Sequence, residues 1–130
     1  MRELVHRDLT DAAISSLSSD RRFATAYNAV LQLSKMAVAC AGYRLTIGLG
    51  HHQKTFDAAK LALGPSSENL VYYFGICRRK RNFIDYDHAE VATETEAAEL
   101  LEKAREFQVL VEEWIIKYHS AYKARGAKTK

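Results

Sequence analysis

Residues 93–118 read TETEAAELLEKAREFQVLVEEWIIKY, and this run decides the fold class. Thr93 and Glu96 have the spacing of a capping box, in which each side chain accepts from the other residue's backbone N–H. Behind them Ala97, Leu100, Leu101, Ala104, Phe107, Leu110, Val111, Trp114, Ile115 and Tyr118 recur three and four residues apart. That is the period of a single helix face, sustained over many turns. Working back from it, the same period governs the rest of the chain.

The spacing predicts a helix over 67–85, capped by Ser66 and carrying Leu70, Tyr73, Phe74 and Cys77. Gly64-Pro65 should end a preceding helix that begins at His51 and buries Phe56, Ala59 and Leu63. Residues 43–50, with no partner strand elsewhere, read as an irregular loop. A longer, alanine-rich helix is expected from about Asp20 to Ala41, with Gly42 as the left-handed residue after it. A short helix over Asp8 to Leu17 comes first. No repeat or linker divides the chain, so residues 1–130 read as one domain with a flexible basic tail over 123–130. The expected class is all-α: an up-and-down antiparallel bundle of four main helices plus a short N-terminal one. Helices of about 20 residues are long for such a domain, which predicts a homodimer that covers the surplus apolar face.

An apolar content of 48% argues for a folded chain, and no apolar run approaches a membrane span. The first residues lack a signal-peptide core, and Cys40 and Cys77 sit inside helical apolar patterns. Both features predict a reduced, cytoplasmic setting. The net charge of +3 is too small to define a partner by itself.

The local pattern at 77–88, CRRKRNFIDYDH, is more informative. Stepping about 100° per residue from Leu70, the positions of Phe74, Cys77 and Ile84 fall within about 40° of it, and so does Arg81. His88 would join them if the helix continued. An arginine on a core-facing arc needs a partner, a wet cleft or a second subunit, because an uncompensated buried charge is costly. Arg81 and His88 together are chemically sufficient for metal-independent RNA cleavage. The imidazole moves the proton, the guanidinium stabilises the charged phosphorane, and Asn82 orients either. Arg78, Arg79 and Lys80 supply phosphate contacts beside them, and His51 and His52 stand at a helix N-terminus where anions bind. Adjacent histidines seldom chelate one metal, and no His-x-x-x-His or Cys-x-x-Cys spacing is present, so neither metal nor cofactor is expected.

From about Ala24 to Tyr118 the chain resembles the HEPN superfamily of small helical domains. The resemblance is carried by Tyr27-Asn28-Ala29, Gly50-His51-His52 with Phe56, Arg78 to Asn82 followed by Asp85-Tyr86-Asp87, and the helix bearing Trp114. The family motif is an arginine, a polar residue and then a histidine. Arg81, Asn82 and His88 satisfy it at the long end of its usual spacing, with Asp85 and Tyr86 characteristic of the branch. The resemblance implies a helical bundle, usually dimeric, with the motif of both subunits lining one cleft. Two activities follow from it: a non-catalytic RNA- or nucleotide-binding module, partnered by a nucleotidyltransferase or an antitoxin, or an endoribonuclease using Arg81 and His88.

Overall fold

Helix α5 (Glu94–Tyr118) begins at its capping box. The Glu96 N–H donates to Thr93 Oγ1 at 3.0 Å, and the Thr93 N–H donates to Glu96 Oε1 at 2.9 Å. The computed structural model describes residues 2–42, 51–85 and 91–118, with Asp85 described by its backbone alone. Within them lie α1 (Arg2–Ala12), α2 (Ser19–Cys40), α3 (His51–Leu63), a 3-10 turn (Pro65–Ser67), α4 (Glu68–Asp85) and α5. Among the described residues there is no strand, so the all-α class is as expected. No helix among them is long and apolar enough to cross a membrane.

Helix α2 is the centre, touching α1, α3, α4 and α5. The Ser18 side chain caps its start by accepting from the Arg21 N–H at 3.2 Å, and Gly42 ends it at φ 85°. Ala26, Ala29 and Ala37 are buried on it, and such small side chains let neighbouring helices approach closely. Its first turn grips the chain ahead of α5. Asp20 accepts from the backbone N–H groups of Val91 (3.2 Å) and Ala92 (2.6 Å), and Arg22 pairs with Glu94 at 3.0 Å. Phe74 of α4 lies between Phe56 of α3 and Phe107 of α5, joining the three helices through tilted and edge-on ring contacts.

Two expectations change. The first helix runs from Arg2, not from Asp8. Arg2 forks onto Glu112 of α5 through two bonds of 2.9 and 3.0 Å, while Val5, Asp8, Leu9 and Ala12 are buried. Its start is therefore fixed by a tertiary contact that no local cap announces. The strict alternation of directions does not describe the contacts either. Asp20 and Arg22 meet Ala92 and Glu94, so the starts of α2 and α5 lie together. Near the other end, Met36 of α2 and Glu112 of α5 line one small cavity. Lys80 of α4 meets Glu96, which makes α4 antiparallel to α5, and the tight turn at Gly64 makes α3 antiparallel to α4. It follows that α2, α3 and α5 share one direction.

The expected loop over 43–50 and the basic tail over 123–130 lie outside the described residues.

Candidate functional site

The four cations of α4 follow one another in sequence, so a helix sends them in different directions. Lys80 turns to α5, where its ammonium lies 3.0 Å from Glu96 Oε2 and donates to the Val91 carbonyl at 3.2 Å. Arg79 is exposed. Arg78 and Arg81, one turn apart, face α3 and the centre of α2. The Arg81 guanidinium carbon stands 5.9 Å from the centre of the Tyr27 ring, within reach of a cation–π contact. The core-facing arginine of the sequence pattern is therefore placed over a fully buried aromatic ring, with Phe74 and Cys77 beneath it on the same helix.

Tyr27 is 0% exposed, and its hydroxyl is hydrogen-bonded to His52 Nδ1 at 3.0 Å. A buried phenol needs such a partner, and the bond fixes the imidazole at the start of α3. His51 lies beside it, the two ring centres 5.9 Å apart. Burial pushes His52 below the ordinary imidazole value, and the charges of His51, Lys35, Arg81 and Arg78 push the same way. At neutral pH this histidine is therefore an uncharged ring in a cationic setting. Two nitrogens here, His51 Nδ1 and Arg78 Nε, are buried with no hydrogen-bond partner. Neither Arg78 nor His52 is in an ion pair among the described residues. Arg78 and His51 thus bring unused polar nitrogens to one place, and guanidinium and imidazole groups gathered in this way suit an anion.

A cavity of about 450 Å³ opens beside this cluster, between α3 and α4. Gln53 and Asp57 of α3 and Tyr72, Ile76, Arg78 and Arg79 of α4 contribute to its lining. Gln53 Nε2 donates to Asp57 Oδ1 at 3.0 Å. A Cβ on Gly75 would stand 3.3 Å from Gln53 Oε1, so the glycine is what lets that amide lie against α4. A second cavity of about 650 Å³ lies elsewhere, under Leu63 and along Val109, Leu110 and Trp114 of α5.

Of the residues singled out in the sequence, the structure brings Arg78, Arg81, His51 and His52 together. It sets Lys80 apart, committed to α5. Asn82 is exposed. The Asp85 side chain, Tyr86 and His88 lie outside the described residues. Tyr27, Lys35, Gln53, Asp57 and Tyr72 went unread as site residues. Tyr27 carried a usable signal, since a tyrosine on the broad, alanine-rich apolar face of α2 must find a polar partner for its hydroxyl. The thiols offer no nucleophile: burial pushes Cys77 up to about 11 and Cys40 upward. Compared with known protein families, curated proteins and solved structures, the chain matches no family model and no protein or structure at a significant level.

Proposed function

We propose that this chain is a HEPN-like domain that binds RNA or nucleotides through a phosphate site built from Arg78, Arg81, His51 and His52. The observation that carries the reading is that Arg81 and His52, from two helices, meet on the buried Tyr27, with His51 beside His52 and Arg78 in the charge field around it. A planar guanidinium suits phosphate, and a neutral imidazole beside it can either donate to the anion or take up a proton. The test is binding of short single-stranded RNA across a salt series. Affinity should fall steeply with salt in the wild type and drop about tenfold or more in Arg78→Ala with Arg81→Ala. Binding that is flat with salt, or unchanged in that double variant, would remove the reading.

One observation favours a catalytic version: His52 and Arg81 meet on the same tyrosine. In metal-independent cleavage a neutral imidazole takes the 2′-hydroxyl proton as the 2′-oxygen bonds to phosphorus. The bond from phosphorus to the 5′-oxygen then breaks, and that oxygen is protonated by a second acid or by water. RNA cleavage in EDTA by the wild type, Arg81→Ala, His52→Gln and His88→Ala separates this from binding alone. Equal cleavage by all four would identify a contaminant. Loss in Arg81→Ala with His52→Gln, and not with His88→Ala, would place the chemistry at His52.

A cytoplasmic setting is supported by the free thiols of Cys40 and Cys77. A homodimer is supported by exposed Val109, Ile116 and Tyr118 along α5, and sedimentation equilibrium tests it. A nucleotidyltransferase or antitoxin partner belongs to the same reading.

A further inference from the structure

The groove between α3 and α4 is not an isolated feature, because Arg78 belongs both to its wall and to the charge field around His52. Its volume of about 450 Å³ is within the usual range for a small-molecule site. Its chemistry also varies along its length, and Lys60 and Glu68 add one more cation and one more carboxylate to the lining. Arg78 and Arg79 mark one end. Toward the other, Tyr72 is 75% and Ile76 53% exposed on the α4 side, and Asp57 faces from α3 with Gln53 bonded to one carboxylate oxygen. Six or seven residues of helix separate Tyr72 from the arginines, about 10 Å at 1.5 Å per residue. That is the reach from a nucleotide's phosphate to its base.

We propose that this groove is a base-recognition subsite for a guanine nucleotide, with the phosphate on Arg78, shared with the site above, and on Arg79 beside it, the base against Tyr72 and Ile76, and the Watson–Crick edge on Asp57. This rests on the phosphate-binding reading above and adds the identity of the base. An exposed aromatic ring beside a phosphate site is a stacking platform, and stacking alone tolerates any base. Asp57 supplies the discrimination. A carboxylate only accepts, and guanine alone among the four bases offers two adjacent donors, N1–H and N2–H₂, on one edge. Adenine and cytosine each present an acceptor next to their single amino group, and uracil presents one N–H between two acceptors. Gln53 donates to one oxygen and limits the carboxylate's rotation, while the second lone pair of that oxygen and the whole of the other leave both oxygens able to accept the paired guanine donors.

The experiment titrates the full chain with GMP, AMP, CMP, UMP and inorganic phosphate by calorimetry. It then uses uridine oligomers with and without one central guanine. The two arms distinguish a free nucleotide from a base within an RNA strand, and a guanine preference in either one supports the subsite. The expected preference is about tenfold for guanine, falling to near parity in Asp57→Asn. Tyr72→Ala should weaken all four bases alike, with phosphate affinity unchanged. Equal affinities for the four bases, or a guanine preference that survives Asp57→Asn, overturns the subsite while Arg78- and Arg81-dependent phosphate binding stands. Absence of any anion binding overturns the phosphate reading and the subsite together.

Discussion

Arg78 and Lys80 are two residues apart on one helix, yet they have opposite fates. Lys80 lies against α5, held by Glu96 and the Val91 carbonyl, and acts as a tie between helices. Arg78 turns toward α3 with its Nε buried and without a hydrogen-bond partner, and it borders both the histidine pair and an open groove. About 160° of helix rotation separates the two positions. A run of like charges is thus divided by azimuth: one cation is tied to a carboxylate of α5, and another is in no ion pair among the described residues and lines the groove against α3. Arg81 falls between them in angle and reaches the face of Tyr27.

The largest test removes what the two sides share. Phe74 is fully buried between Phe56 and Phe107, so Phe74→Ala should cost about 3–5 kcal/mol in urea unfolding and weaken both sides of α4 at once. Next, the pair Arg78→Ala and Arg81→Ala should lower RNA affinity about tenfold to hundredfold, while Lys80→Ala stays within about twofold. Equal losses from the three positions would abolish the distinction between them. Tyr27→Phe leaves the ring under Arg81 and removes the hydroxyl on His52, for about 1 kcal/mol of stability by thermal unfolding.

The same bond gives a pH test. His52 lies below the ordinary imidazole value in the folded state, so above that ordinary value it is neutral folded or unfolded and contributes nothing. As pH falls through the ordinary value the unfolded chain takes the proton first. Stability then declines until the pH has passed the depressed folded value. Unfolding between pH 8 and 5 should show a steeper loss in the wild type than in His52→Gln, and parallel curves would refute it. Smallest of all, a double-mutant cycle on Lys80 and Glu96 should return less than about 1 kcal/mol, since both side chains are partly exposed.

What the sequence discloses here is rotation about a helix axis; what it hides is position along one. The inward azimuth of Arg81 follows from its spacing to Phe74 and Cys77, and the start of α5 follows from Thr93 and Glu96. Both are local, periodic facts. The meeting of Arg78 with His52 is not, because it depends on the level at which α3 docks against α4. The shared direction of α2, α3 and α5 is hidden for the same reason. The start of α1 is set by Arg2 reaching Glu112 at the far end of the chain, a contact that no pattern within α1 can signal.

Gly75 gives the α3–α4 groove a calibration. The missing methyl group there gives the Gln53 amide its room against α4, where it holds Asp57. Alanine at that position would displace Gln53 by a few tenths of an ångström and slacken its grip on the carboxylate, with the backbone of both helices unmoved. If the groove reads guanine as proposed, its selectivity would then be adjustable independently of its affinity: one carbon atom would set how firmly Asp57 is aimed, while the arginines a turn away kept their place.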